Sequence, residues 1–353
     1  MPPHAQASMV VAQRITFITT VLGLLSSLQL FGVDRPLGAS SNYTRSIDVL
    51  DEAKEPYTDV HRLLFVHVGK AGGETVRYSL RAGCQAMRNK KKRQRCEENV
   101  PQSALSDRVA GLIHVKMRTV PLDEVDGYLI VIRNPLDRAL SWYRYTHPDA
   151  CNTTASQAPS CYSQYLIRSY PEQATAMFYH DCFPQVSNLT QPAMTDDCRS
   201  LLSDVWSGSV AHAPDEPTFW HMIQNTVWYA NEVGLHTPVY VIRTEHLWDD
   251  MKSLDETFGG DGTFGDMEGL HFTHGVLAKK DDLPAEGRRQ LCCWMEEELF
   301  LYQKLLFEAE NLYAHEAQST WEAALERCGV STLLELQESC DWKSDSERKL
   351  YSG

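Results

Sequence analysis

The sequence predicts an α/β protein in which helices flank a parallel β-sheet, and three apolar runs are the basis of this prediction. Residues 63–68, 128–132 and 238–243 are short, nearly continuous apolar runs, typical of strands that are buried on both faces. A segment with helix signals follows each of the first two runs, and Glu245-His246-Leu247 follows the third. Strands that alternate with helices indicate parallel pairing, because a helical crossover returns the chain to the same edge of the sheet.

The first strand leads into a glycine-rich turn. Residues 63–76 read LLFVHVGKAGGETV, and a helix is predicted from Glu74 to Arg81, with Gly83 as its end signal. A strand, a glycine-rich turn and a helix together bring backbone N–H groups onto an anion, and Lys70 adds a positive charge. We therefore expect a P-loop-like phosphate site, although the patterns GxxxxGK[ST] and GxGxxG are both absent.

The second strand ends in Arg133-Asn134-Pro135, and a helix rich in aromatic residues is predicted from Leu136 to about Tyr145. Arg133 would lie at the carboxyl end of the strand and Ser141 two turns into the helix. A planar guanidinium and a short hydroxyl donor are a suitable pair for a second phosphate. Two anion sites at neighbouring strand ends suggest a nucleotide that is phosphorylated at two positions.

Between the second and third strands, residues 146–215 contain four cysteines and many Ser, Pro and Gln residues. We expect a disulfide-tied, partly helical insertion on the surface. Beyond the third strand, residues 284–313 have helical periodicity with an acidic face, and a last helix is predicted over residues 316–328.

The N-terminal region predicts membrane targeting. Residues 15–33 carry no charge and are nearly long enough to cross a bilayer, which favours a signal anchor. A cleaved signal peptide is the alternative, with LGAS at residues 37–40 as its cleavage site. In the favoured reading, residues 1–14 form a cytosolic tail, residues 34–59 a polar stem, and residues 60–353 a lumenal domain.

Cysteine usage and charge agree with a lumenal protein that does not bind nucleic acid. The chain has 10 cysteines, without the spacing of a zinc site, and the sequons at Asn42, Asn152 and Asn188 fit an oxidising lumen. The net charge of −14 argues against nucleic acid as a partner. The basic run at residues 88–95 is either a solvated surface or a patch that steers an anionic substrate.

Taken together, the two phosphate motifs resemble those of sulfotransferases that use PAPS (3′-phosphoadenylyl sulfate). Residues 63–76 resemble the 5′-phosphosulfate loop of that family. Residues 130–145, IVIRNPLDRALSWYRY, resemble its 3′-phosphate motif RxPxxRxxS. The resemblance is closest to the Golgi carbohydrate sulfotransferases, notably the uronyl and heparan sulfate 2-O branch. It implies transfer of a sulfuryl group from PAPS to a glycan or proteoglycan hydroxyl, without a metal, by a single-pass type II Golgi membrane protein.

The same resemblance assigns roles to individual residues. Lys70 would lie at the bridging oxygen and the 5′-phosphate, while Arg133 and Ser141 would bind the 3′-phosphate. The backbone around the 5′-phosphate would come from Ala71, Gly72, Gly73, Glu74 and Thr75. Glu74 stands where the family usually has a hydroxyl residue, so its carboxylate either points away along the helix or acts on the acceptor.

A general base is also implied, because the acceptor hydroxyl must lose a proton. The 2-O branch has a histidine about twenty residues before the 3′-phosphate strand, and His114 lies at a similar distance. The alternative for His114 is a structural histidine inside a strand. His67 reads as a core residue. His271 and His274, in a loop before Lys279 and Lys280, are weaker candidates.

Several alternatives remain open at this stage. Trp142, Tyr143 and Tyr145 either pack the helix or stack on a ligand, and Arg138 either binds phosphate or pairs with Asp137 or Asp126. The acceptor could be a protein tyrosine or a lipid-like alcohol. The protein could also be a catalytically silent lumenal nucleotide-binding protein, or a nucleotide kinase, which would need a Mg²⁺ site. The sequence leaves the acceptor sugar, the disulfide pairing and the oligomeric state open.

Overall fold

The computed structural model describes residues 59–80, 90–91, 94, 98, 103–114, 117–152, 159–190, 194–206, 214–233, 238–264 and 283–340. All of them belong to one compact unit within residues 51–353. The predicted anchor, Cys84, Cys96, His271 and His274 lie outside the described residues, as does most of the basic run. In the described part of the chain, no helix is both long enough and apolar enough to span a bilayer.

A mixed sheet of 5 strands forms the centre of the molecule, and its order is β3-β2-β1-β4-β5. The strands are β1 (Leu63–His67), β2 (Val109–His114), β3 (Met117–Arg118), β4 (Gly127–Ile132) and β5 (Val239–Arg243). β2, β1, β4 and β5 are parallel, and the short edge strand β3 pairs antiparallel with β2. The predicted parallel sheet is therefore confirmed, with an additional antiparallel edge.

Helices surround this sheet. They are α1 (Gly73–Ser79), α2 (Ala104–Arg108), α3 (Pro135–Thr146), α4 (Pro159–Ser169), α5 (Ala174–Ala176), α6 (Asp196–Trp206), α7 (Trp220–Ile223), α8 (Thr226–Val233), α9 (Leu247–Thr257), α10 (Ala285–Trp294), α11 (Glu296–Glu308), α12 (Ala314–Cys328) and α13 (Leu333–Ser339). The long helix predicted over residues 284–313 is interrupted at Met295, so it forms α10 and α11. α13 was not predicted.

Both faces of the sheet are covered. Every residue of β1, β4 and β5 is buried, as expected for parallel strands between two helical layers. From α3, Trp142 is fully buried and packs edge-on against Phe178 and Trp206. Tyr143 is also buried and donates a hydrogen bond to the Phe183 carbonyl. These two aromatic residues pack in the core, whereas Tyr145 is only half-buried.

The insertion after α3 is helical and tied by disulfides, as predicted. It contains α4, α5, a π-helical turn (Met177–Cys182) and α6. The bonds Cys151–Cys161 and Cys182–Cys198 each close a short loop within it. Two further bonds, Cys292–Cys328 and Cys293–Cys340, join α10 to the end of α12 and to the residue after α13. The C-terminal helices are therefore fixed to one another covalently.

The strand order creates a crevice at the carboxyl ends of the parallel strands. β1 lies between β2 and β4, so the chain runs to one side of β1 first and later crosses to the other. In open parallel sheets, ligands bind outside the carboxyl ends of the strands at such a switch point. Here the carboxyl ends bring together His67, His114, Arg133 and Thr244.

Candidate functional site

The loop between β1 and α1 has an unusual backbone. Lys70 adopts φ = 67° and Gly72 φ = 79°, both in the left-handed region, and Gly72 is the N-cap residue of α1. A lysine in this region is uncommon and costs about 1 kcal/mol or more, so the surrounding structure must hold it there. The Ala71 N–H donates to the Val68 carbonyl at 3.3 Å, which closes the turn.

Two glycines of the loop are required by close packing against histidine rings. A Cβ on Gly73 would lie 2.0 Å from Cδ2 of His67, and a Cβ on Gly69 would lie 2.8 Å from the His221 side chain. Neither distance is possible for real atoms, so any larger residue would displace a ring or the backbone. These glycines, which the sequence pattern assigns to a phosphate loop, therefore also allow the loop to pack against the two histidine rings.

Side chains from the ends of β4 and β5 hold the loop. The Thr244 hydroxyl lies 2.6 Å from the Ala71 carbonyl oxygen and 2.8 Å from the Ile132 carbonyl oxygen, and it donates its hydrogen between them. Nη1 of Arg133 donates to the Lys70 carbonyl at 3.3 Å. The structure thus brings the predicted loop and the predicted second anion residue, Arg133, into direct contact.

The half-buried Lys70 side chain lies against an aromatic ring. Its Nζ lies 3.4 Å from the centroid of the Tyr145 ring, a cation–π contact. Burial lowers the pKa of Lys70 to about 7, with a further decrease from Arg133 and an opposing effect from Glu74. Of the three aromatic residues considered on α3, Tyr145 is the one at the site, and it contacts Lys70.

Glu74 has a local partner. Its carboxylate accepts a hydrogen bond from Nη2 of Arg77 at 2.9 Å, an ion pair across one turn of α1. Of the two possibilities for Glu74, the structure supports the one in which the carboxylate lies along the helix. Thr75 lies in the first turn of this helix, and its N–H donates to the Gly72 carbonyl at 3.0 Å.

Three histidines stack beneath the loop. The rings of His67 and His114 lie 3.9 Å apart and nearly parallel, and the His221 ring lies 5.3 Å from that of His114. Burial lowers the pKa of His221 to about 3, with a smaller effect from His114. Burial also lowers the pKa of His67, which is 5% exposed, well below its usual value. His67 is a core residue, as predicted, but it is also part of this cluster.

His114 is oriented by the backbone of β1. Its Nδ1 lies 2.9 Å from the His67 carbonyl oxygen, which can only accept, so Nδ1 carries the hydrogen. The unprotonated nitrogen is therefore Nε2. Burial lowers the pKa of His114 to about 4, and the hydrogen bond to His67 opposes this effect. At neutral pH the ring is uncharged, the state that a base requires.

A buried ion pair holds His221 in place. Arg138 is fully buried, donates from Nη1 to the His221 carbonyl at 2.9 Å, and pairs with Glu298 at 2.6 Å. Both partners that the sequence suggested for Arg138 are wrong: Asp126 accepts from the backbone of His61 and Arg62, and Asp137 pairs with Arg327. Arg138 is therefore fully buried and supports the site from within the core.

The half-buried side of α3 faces the site. Asp137, Ser141 and Arg144 are spaced by four and three residues, which places them on one face of the helix, and all three are partly exposed. Asn134 caps the helix by accepting from the Leu136 and Asp137 N–H groups. Ser141 thus lies on the same face as Tyr145, one turn away from it.

Sequence reasoning missed several residues of the site. His221, Thr244 and Arg327 come from segments without a recognisable motif, and they reach the site only through tertiary contacts over long separations. Within the described ranges, no group of His, Cys, Asp and Glu residues is arranged to hold a metal ion. No protein-family model, no curated protein and no solved structure matches the chain.

Proposed function

We propose that the protein is a sulfotransferase that transfers a sulfuryl group from PAPS to a hydroxyl of a glycan or proteoglycan. The observation that carries this proposal is the contact between Arg133 and the Lys70 loop, 3.3 Å from Nη1 to the carbonyl oxygen. It places two cationic groups on neighbouring strand ends, as a donor with two phosphate-bearing positions requires. His114 ends the strand on the other side of β1.

The proposed reaction has a simple balance. A bond forms between the acceptor oxygen and sulfur, and the bond between sulfur and the bridging oxygen of the 5′-phosphate breaks. The departing phosphate takes the electron pair, and Lys70 stabilises its charge. The acceptor proton passes to Nε2 of His114, the nitrogen left unprotonated by the contact with the His67 carbonyl.

The remaining loop residues act by position. The backbone from Ala71 to Thr75 surrounds the 5′-phosphate in this proposal, and Gly72 adopts without strain the left-handed conformation that this turn requires. Arg133 and Ser141 bind the 3′-phosphate. Catalysis is then mainly positioning and charge stabilisation, as in related phosphoryl transfer.

A Golgi location, with the domain in the lumen, belongs to the same proposal. Four disulfides among the described residues are consistent with an oxidising compartment. The uncharged stretch at residues 15–33 would supply a type II anchor.

Nucleotide selection tests the proposal. Calorimetry with the full-length protein should show that adenosine 3′,5′-bisphosphate binds at least about tenfold more tightly than adenosine 5′-monophosphate, since a second charge-assisted site is worth more than 1.4 kcal/mol. Binding should not require Mg²⁺. Equal affinity for the two nucleotides would count against the proposal, and so would selective binding of ATP with Mg²⁺, which would indicate a kinase.

A further inference from the structure

Helix α12 places Arg327 beside α3, the helix that follows the second predicted phosphate position. Nε and Nη2 of Arg327 both lie 2.9 Å from the same oxygen, Oδ1, of Asp137 on α3. About a third of each side chain is exposed, 30% for Arg327 and 28% for Asp137, so the pair is accessible to solvent. Arg327 had no place in the sequence motifs.

Three arginines converge around this carboxylate. Arg133 precedes α3, Arg144 lies on the same face as Asp137 two turns later, and Arg327 arrives from α12. Burial lowers the pKa of Arg144, Asp137 opposes this effect, and Arg133 and Arg327 lower the pKa further, which indicates that the three guanidinium groups are near one another. The nearby carboxylates are those of Asp137 and Glu245. The three guanidinium groups therefore lie close to the Asp137 carboxylate.

Covalent and backbone contacts fix the position of Arg327. The next residue, Cys328, forms a disulfide with Cys292 of α10. The Arg327 carbonyl accepts a hydrogen bond from Nε of Arg288 at 3.1 Å, and Arg289 donates to the Gly329 carbonyl at 3.0 Å. The backbone that carries the Arg327 side chain is therefore fixed before an anion binds.

We propose that Arg327 is a specificity-determining residue that binds the 3′-phosphate of the donor nucleotide together with Arg133 and Arg144. This inference rests on the proposed function, because it assigns a further ligand to the same nucleotide. A tetrahedral dianion fits a cluster of guanidinium forks better than a single carboxylate does. On binding, the phosphate takes over part of the contact that Asp137 now makes.

The test compares Arg327→Gln with Asp137→Asn in the full-length protein. Both substitutions remove the ion pair, but only the first removes the cation. We expect Arg327→Gln to weaken adenosine 3′,5′-bisphosphate about tenfold and to leave adenosine 5′-monophosphate within about twofold. Asp137→Asn should leave bisphosphate affinity unchanged or increase it, because it removes a competing negative charge.

The outcomes distinguish a failure of the proposed function from a failure of the role proposed for Arg327. If the wild-type protein does not prefer the bisphosphate, the proposed function fails. If it does, but Arg327→Gln keeps the full preference, or Asp137→Asn weakens binding as much as Arg327→Gln, only this inference is overturned. Weaker binding of a sulfated disaccharide with unchanged nucleotide preference would also overturn it, since Arg327 would then serve the acceptor. If Arg327→Gln loses all nucleotide binding, Arg327→Lys is measured as well, because lysine keeps the charge without the guanidinium fork. We expect Arg327→Lys to weaken binding of the bisphosphate only, and equal weakening of both nucleotides would overturn the inference.

Discussion

At the scale of single residues, Lys70 is the most constrained group of the site. Its backbone is left-handed, its carbonyl accepts from Arg133, and its ammonium lies on the ring of Tyr145. The site therefore holds a lysine whose charge is poorly solvated. A bound phosphate would supply the negative charge that this environment lacks.

Nucleotide binding should consequently take up a proton. With a pKa of about 7 in the empty site, Lys70 is about 90% neutral at pH 8 and about 90% charged at pH 6. A phosphate at the amine raises this pKa, so binding should take up most of a proton at pH 8, where the phosphate is already ionised, and less at pH 6, where the phosphate also releases protons on binding. Calorimetry in buffers of different ionisation enthalpy measures the uptake. Lys70→Met should abolish it, and absence of uptake by the wild type at pH 8 would contradict this account of Lys70.

The left-handed conformation of Gly72 gives a second test at this scale. Gly72→Ala and Gly259→Ala both place a Cβ at positive φ, 79° and 89°, so each should lower the free energy of unfolding by about 1 kcal/mol. Only the Cβ at position 72 has close neighbours, with Thr244 at 3.2 Å, whereas that at position 259 meets nothing within 4 Å. Nucleotide affinity should fall about tenfold in Gly72→Ala alone. Equal affinities in the two variants would contradict a role for this loop in binding.

At the scale of elements, α3 joins the core to the site. Its buried side carries Arg138 and Trp142, while its other side presents Asp137, Ser141 and Arg144 to the crevice. The motif that resembles RxPxxRxxS therefore has two roles in this structure. Arg138 fixes His221 through the core, and the exposed face supplies polar groups for an anion.

The Arg138–Glu298 pair should dominate local stability. Arg138→Met leaves the buried Glu298 carboxylate without its cation and should reduce the free energy of unfolding by about 3–5 kcal/mol. The double variant Arg138→Met/Glu298→Leu should be more stable than Arg138→Met, because no charge remains buried. Urea denaturation measures both. As a control, Glu124→Gln breaks the exposed pair with Arg62 and should cost less than about 1 kcal/mol. A double variant with a lower free energy of unfolding than Arg138→Met would contradict this coupling between Arg138 and Glu298.

Elements with strong local signals could be predicted from the sequence. β1, β4 and β5 are continuous apolar runs, and their bounds agree with the prediction to within a residue. The strand β2 is weaker, because Ala110 and Gly111 interrupt its apolar pattern; Gly111 leaves room for Val120, which a Cβ would approach to 2.5 Å. The break between α10 and α11 has no local signal in the sequence. Tertiary contacts determine where a strand such as β2 or a helix break such as this one lies.

At the scale of the whole molecule, the site depends on segments far apart in the chain. The loop and Arg133 were predictable because each lies at a strand end with its own chemistry. His221 and Arg327 were not, since an isolated histidine or arginine in a helix usually has no special role. Their positions depend on Arg138, on the disulfide Cys292–Cys328 and on the packing of α12.

The histidine cluster should make global stability depend on pH. The pKa values of His114 and His221 are about 4 and 3 in the folded protein, below the value of about 6.5 in the unfolded chain, so the unfolded state binds more protons between these values. Stability is therefore full above about pH 6.5 and falls as the pH decreases. Between pH 7.5 and 5.5, the wild type should lose about 1 kcal/mol more than His114→Asn, whose amide N–H group replaces Nδ1–H as donor to the His67 carbonyl. Equal losses in urea denaturation would contradict a neutral, partly buried His114.

The most direct test of the central claim is transfer of labelled sulfate from PAPS to a panel of desulfated glycans by the full-length protein. Lys70→Ala and His114→Ala should be measured in parallel. We predict transfer to at least one glycan by the wild type and a loss of at least about a hundredfold in each variant, with nucleotide binding retained in His114→Ala. Tight binding of the bisphosphate nucleotide without transfer to any acceptor would contradict an enzymatic role and would indicate a silent nucleotide-binding protein.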